Sequence, residues 1–217
     1  MIPLDNPTEP AAAKAYRALE RMIVTLELPP GSTTTEGALI ERLGLGRTPV
    51  REAMQRLAWE GLLEIRPRAG VAVAPLHPGD WLKVIDARRG VEILLARAAT
   101  RNSTRETAEK FREAALSMQK AVIKDNVLAF LEADKSLDEA LALASDNAFA
   151  SRLAAPLQTH SRRFWFRYQA ETGLAEAADR HLAMVRAITA GDEERAGQEA
   201  DRLMLTLRRR AEEALRR

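Results

Sequence analysis

Apolar residues recur at helical spacing at Tyr16, Leu19, Met22, Ile23 and Leu26, which predicts a helix over residues 11 to 26 with one buried face. Pro29-Pro30-Gly31 breaks it. A second stripe, Leu39, Ile40 and Leu43, predicts a short helix that stops at Gly44, with Thr33 and Glu36 at the spacing of a capping box. A third, Val50, Ala53, Met54 and Leu57, follows Gly46 and ends at Gly61, with Pro49 in the first turn, where its missing N–H has no partner to lose. The opposite face of that helix carries Arg47, Thr48, Arg51 and Gln55. Leu63 to Arg66 and Val71 to Ala74 then predict two strands joined by the turn Pro67-Arg68-Ala69-Gly70. Two helices across a tight turn, followed by a hairpin, predict a winged helix-turn-helix over residues 1 to 76, preceded by a loose polar arm at residues 1 to 10.

Beyond the breaker-rich linker at residues 75 to 79 the pattern changes. No alternation of period two appears, and helical stripes separated by capping residues predict helices at about 81–101, 105–124, 126–145, 147–171, 174–190 and 192–216. The expected fold is therefore mainly α: an N-terminal winged helix-turn-helix plus a C-terminal antiparallel six-helix bundle at residues 80 to 217.

Composition narrows the chemistry. A chain of 217 residues with 46% hydrophobic and 29% charged residues builds real cores, has no apolar run of membrane-spanning length and is expected in the cytoplasm. With no cysteine, a metal would have to be held by Asp, Glu or one of only three histidines, His77, His160 and His181. The net charge of +2 does not announce a nucleic-acid binder, but Arg42, Arg47, Arg51, Arg56, Arg66 and Arg68 concentrate between the turn and the wing. Arginine bonds guanine edges bidentately and phosphates as a charged partner, so Arg47 and Arg51, one turn apart, form the natural reading pair.

The run Leu28-Pro29-Pro30-Gly31, Glu36, Leu39, Leu43-Gly44, Arg47-Thr48-Pro49-Val50-Arg51-Glu52-Ala53, Arg56-Leu57 and Glu60-Gly61-Leu62 resembles the signature of the GntR family of bacterial transcription regulators. The bundle resembles the all-helical C-terminal ligand domain (FCD) of that family's FadR-type branch. Arg89-Gly90-Val91-Glu92, Asp134 with Asp138, Ala144-Ser145-Asp146-Asn147, His181 with Ala187-Ile188, Gly191-Asp192 and Ala196 carry that likeness. The resemblance implies DNA contacts by Arg47, Thr48, Arg51 and Gly70, and Gln55 on the same helix face and Arg68 in the wing are expected to join them. Three positions depart from the family: Gly46 stands where a serine is usual, Gly37 where many relatives have arginine, and Ala69 where the wing usually has arginine.

In relatives with a metal, one Asp and three His hold it, and the resemblance maps these onto Asp134, Asp138, His181 and Leu203, so two of the three histidines are gone. Asp134, Asp138 and His181 remain as a reduced set for zinc or manganese. The alternative is an arginine-paired acidic couple beside a hydrogen-bonded core histidine, with Arg89, Arg162, Arg163 and Arg167 as candidate partners. Arg89, Arg163 and His181 are the expected contacts of an acidic effector. The cluster from Arg162 to Tyr168 either lines a pocket or is core aromatics flanked by surface arginines. The implied function is an operator-binding homodimer whose DNA affinity is set by a small organic or sugar acid. The alternatives are a metal-dependent all-helical enzyme and an effector-independent DNA-binding dimer.

Overall fold

The computed structural model describes residues 9–169 and 173–216. It divides into two units, Met1–His77 and Pro78–Arg217. Most of the arm expected at residues 1 to 10, and the expected end of the helix at 171, lie outside the described residues.

In the first unit α1 (Ala11–Val24) buries Ala15, Tyr16, Leu19, Met22 and Ile23 on one face. It ends two residues earlier than the apolar stripe suggests. Leu26 turns the chain at a φ of 60°, and Leu28 re-enters the core, with its N–H bonded to the Met22 carbonyl. Leu39 of α2 (Glu36–Leu43), the buried face Val50, Ala53, Met54 and Leu57 of α3 (Arg47–Trp59), and Leu62, Leu63, Val71 and Val73 complete the same core. Gly44, at a φ of 63°, ends α2 with its N–H on the Ile40 carbonyl, a left-handed stop that suits glycine.

The capping box expected at Thr33 and Glu36 is not what forms. Thr33 and Thr34 make a short strand β1, and Thr35 is the cap, its hydroxyl accepting from the Ala38 N–H at 3.1 Å. That strand gives the wing a third member. β2 (Leu63–Arg66) and β1 flank β3 (Gly70–Val73), all antiparallel, with Leu63 opposite Val73 and Thr34 opposite Val71.

Among the described residues the second unit has six helices: α4 (Pro78–Arg101), α5 (Arg105–Ile123), α6 (Val127–Ser145), α7 (Ala148–Tyr168), α8 (Gly173–Thr189) and α9 (Glu193–Leu215). α4 packs on α9, α7 and α6; α5 packs on α6 and α8; α8 packs on α9. Four starts are set by side chains that satisfy otherwise unpaired N–H groups. Thr104 caps α5, Asn126 caps α6, Asn147 caps α7 and Asp192 caps α9. Trp81 stacks on Phe164 at 5.9 Å and on Tyr168 at 6.0 Å, while Phe130 stacks on Trp165 at 5.1 Å. Among the described residues no helix is long and apolar enough to cross a membrane.

Candidate functional site

The outward face of α3 follows from its inward one. With Val50, Ala53, Met54 and Leu57 in the core, Arg47, Thr48, Arg51 and Gln55 are exposed together. Gly46 supplies no side-chain cap, so the first N–H groups of the helix have no side-chain acceptor from that position. Both arginines lean on one carboxylate, Glu36 at the start of α2. Arg51 donates from Nε to Glu36 Oε2 at 3.1 Å and from Nη2 to Oε1 at 3.0 Å, and Arg47 Nε lies 3.7 Å from Oε1. Arg68 is exposed at the tip of the wing, where its φ is 63°. Gly70, at a φ of 95°, has a structural duty beside any DNA contact: a Cβ there would stand 2.5 Å from the Thr34 carbonyl oxygen of β1.

The bundle encloses a cavity of about 30 Å³, room for about one or two water molecules. Phe130, Leu131, Trp165, Leu203 and Leu207 supply its apolar wall, and Arg88, Asp134, Arg162, His181 and Arg210 its charged one. Asp134 and Asp138 are one turn apart on α6, as their spacing requires, and Arg162 of α7 reaches both: Nη1 lies 3.4 Å from Asp134 Oδ2 and contacts Asp138 Oδ2 more closely. His181 Nδ1 is 2.7 Å from the Ala177 carbonyl oxygen and Nε2 is 2.8 Å from Asp134 Oδ1. Both ring nitrogens therefore face oxygen acceptors, an arrangement that favours the imidazolium. Burial opposes that charge, but the bond to Asp134 outweighs it and raises the His181 pKa. The same bond, again against burial, holds Asp134 well below the usual carboxylate range. Burial and the neighbouring Asp134 charge push Asp138 up.

This arrangement does not fit a divalent ion. Of the expected ligands, Asp134 and His181 are spent on each other, Asp138 is held by Arg162, and Leu203 offers the cavity only carbon. Among the described residues no group of three His, Asp or Glu side chains gathers at metal-binding spacing. The cation between the two carboxylates is the Arg162 guanidinium.

Two of the expected effector contacts lie elsewhere. Arg89 points away from the cavity and is exposed, with Nη2 on Asp201 Oδ2 of α9 at 3.0 Å. Its neighbour Arg88 is the residue on the inner face, buried and donating to Glu92 Oε1 from Nη2 at 2.8 Å and from Nε at 3.0 Å, where Gln158 Nε2 also donates at 3.0 Å. Arg163 is buried but does not line the cavity, and burial pulls its pKa down to about 10, still leaving it charged at neutral pH. His181 does line it. The aromatic and basic cluster divides: Arg162 and Trp165 face the cavity, and Phe164 packs on Trp81.

Arg88 was detectable from its register, because Trp81, Ile85, Arg88, Glu92 and Leu95 repeat at intervals of four and three and are all buried. Arg210 falls one heptad after Leu203 and on the same stripe as Leu207.

A winged helix-turn-helix with an exposed, arginine-bearing second helix, followed by a helical bundle with a cavity of apolar and charged walls, is the build of a DNA-binding regulator. Comparison with known proteins agrees. Residues 11–73 match the family "Bacterial regulatory proteins, gntR family", and residues 83–206 match the FCD domain. The chain belongs to the gntR family of DNA-binding transcription regulators, with an FCD domain behind the winged helix. It is 30% identical over 167 residues to a probable D-xylose utilization operon transcriptional repressor of Paenarthrobacter nicotinovorans, covering 77% of this chain and 74% of that one. It is 29% identical over 146 residues to the HTH-type transcriptional repressor RspR of Escherichia coli, covering 65% of this chain and only 62% of RspR. Its fold is like that of E. coli McbR/YncC, with a TM-score of 0.81 at 18% identity over 95% of this chain and 99% of that one. These families and relatives are regulators, not enzymes, which removes the metal-dependent enzyme weighed from the sequence.

Proposed function

We propose that this protein is a cytoplasmic repressor that binds an operator as a homodimer, with α3 in the major groove and the wing on the flanking backbone, and that a small organic or sugar acid in the bundle cavity sets its DNA affinity. The observation that carries the DNA half is the shared exposure of Arg47, Thr48, Arg51 and Gln55 on the one face of α3 that the core leaves open. A groove-facing helix needs such donors, and arginine supplies both base and phosphate contacts. The effector half is supported by a cavity that joins apolar walls to fixed cations, and an acid larger than one or two water molecules has to widen it on binding. Repression is supported by the names of both relatives above, and a sugar-derived effector by the name of the D-xylose operon repressor alone. The mechanism is population shift: a ligand that prefers the arrangement unable to hold two recognition helices at operator spacing weakens DNA binding.

The dimer is supported by apolar side chains left in the open on the bundle: Phe149 is 81% exposed and Leu153, one turn on, 64%. Light scattering of the full chain should give twice the monomer mass, and Phe149→Glu should halve it. A duplex pool selected by the wild-type protein provides the operator, and Arg51→Ala should weaken binding to it by about 1 to 3 kcal/mol in a mobility-shift titration. Undiminished binding by the Arg47→Ala, Arg51→Ala double variant would take α3 out of the groove.

A further inference from the structure

The outward face of α3 does not end at Gln55. At about 100° per residue, Gln55 and Trp59 both lie within about 20° of the line through Thr48, while the buried Leu57 points the opposite way. Trp59 is 92% exposed, against 1% for Trp81 and 5% for Trp165. A lone apolar side chain in water needs no explanation, but this one continues, one turn beyond Gln55, the face that DNA binding already claims. The acid beside it does not oppose a phosphate, because Glu60 accepts from Tyr16 Oη at 2.7 Å and from Arg56 Nε at 2.9 Å. Its charge is turned back onto α1 and α3.

We propose that Trp59 is a contact to the DNA backbone: its indole ring packs on a deoxyribose at the rim of the major groove, and its Nε1–H donates to the adjoining phosphate. The inference rests on the placement of α3 proposed above and adds a residue to it. Length decides for the rim over the floor. Trp59 stands about 16 Å beyond Thr48 along the helix axis, and the major groove is only about 12 Å wide. A helix whose first turn reaches base edges therefore brings its last turn to the sugar-phosphate wall. The chemistry agrees, since the indole offers one donor and no acceptor, and a phosphate offers acceptors only. Glu52, exposed on the same face two turns earlier, suits the floor instead, where base amino groups can donate to it. A contact of this kind adds affinity and fixes how far α3 enters the groove, but it reads no base.

The experiment uses the full-length protein and the duplex selected by the wild type. Trp81 and Trp165 are buried, so acrylamide quenching of the wild-type fluorescence reports on Trp59. Adding duplex should reduce that quenching, and Trp59→Phe should lose the change. In a mobility-shift titration Trp59→Ala should bind the duplex about five- to tenfold more weakly, with Trp59→Phe between it and the parent, because the ring stays and the donor goes. The salt slope should stay that of the parent, since no cation is lost. A fresh selection with Trp59→Ala should return the same consensus. Undiminished binding by Trp59→Ala, or wild-type quenching that duplex leaves unchanged, would overturn the contact and leave α3 in the groove, provided the Arg47→Ala, Arg51→Ala double variant loses binding. Full binding by that double variant as well would remove α3 from the groove and this contact with it. A shifted consensus would move Trp59 to base edges, and a halved mass in light scattering of Trp59→Ala would give the side chain to a second copy of the chain. Either result overturns the backbone contact.

Discussion

Glu36 accepts from Arg51 with both carboxylate oxygens, at 3.1 and 3.0 Å, so the arginine proposed for the major groove is paired with a carboxylate before DNA arrives. An exposed pair of this kind adds little to stability, but it orients a side chain that otherwise loses several rotamers on binding. The same carboxylate also repels phosphates. Glu36→Gln should therefore bind non-cognate DNA more tightly and discriminate less, with the ratio of selected to scrambled duplex affinity falling about three- to tenfold. Parallel titrations of both duplexes at two salt concentrations measure it. An unchanged ratio would mean that Arg51 takes its pose from the DNA alone.

Gly70 is fixed by the wing itself. Its φ of 95° lies where a Cβ is strained, and that Cβ would meet the Thr34 carbonyl oxygen at 2.5 Å, against a backbone atom that cannot swing aside. Gly70→Ala should cost about 1 to 3 kcal/mol and open the β1–β3 pairing, read by thermal melting and by faster amide exchange at Val71. If the variant melts like the parent while DNA binding drops, contact with DNA would be the main duty of this glycine.

The winged helix was legible because each of its helices has one buried face, and a period of 3.6 reports a face directly. The six bundle helices were legible for the same reason. β1 was not, since two threonines carry no alternation and their pairing with β3 is a long-range contact. Arg89 was assigned from a short motif, whereas the repeat through Ile85 and Glu92 put Arg88 inside; the charges interrupt an apolar stripe and hide its register. Arg162 could be nominated as the partner of Asp134 and Asp138 from the cost of unpaired buried charge. Its choice over Arg163 or Arg167 depends on how α7 is rotated against α6, which no single-helix pattern contains.

His181 makes stability depend on pH in a stated direction. Its pKa is raised in the folded protein, because its bond to Asp134 outweighs burial, so its contribution is complete below the unfolded value of 6.5 and is lost as pH rises through the higher folded value. Asp138, pushed up to about 7 by burial and by Asp134, acts in the same direction between its unfolded 3.8 and that value. Asp134, held low, acts oppositely: its contribution is present above 3.8 and is lost only as pH falls through the depressed value. The melting temperature should thus fall as pH rises above about 6.5, and His181→Gln should flatten that slope. A parent whose melting point is level over this range would show that His181 is not charged in the folded state.

The residues mapped onto the relatives' metal ligands give the sharpest test of the bundle geometry. Asp134, His181 and Leu203 come from three helices and line one cavity, and Arg162 occupies the charge position between the acidic residues. Removing only the guanidinium leaves two buried carboxylates facing each other, so Arg162→Ala should be destabilised by about 3 to 5 kcal/mol. Part of that loss should be recovered by adding a divalent cation, because a ligand that binds only the folded state raises its stability. Arg162→Ala combined with Asp138→His and Leu203→His supplies one carboxylate and three imidazoles around the emptied position, a four-ligand set suited to zinc. That triple variant should retain zinc through dialysis and melt higher with it, while the parent gains nothing from zinc or manganese. Elemental analysis beside thermal melting decides the matter. A triple variant that folds and holds no zinc would mean that these positions do not converge on one point, and the assignment of Arg162 as the internal cation would lose its geometric basis.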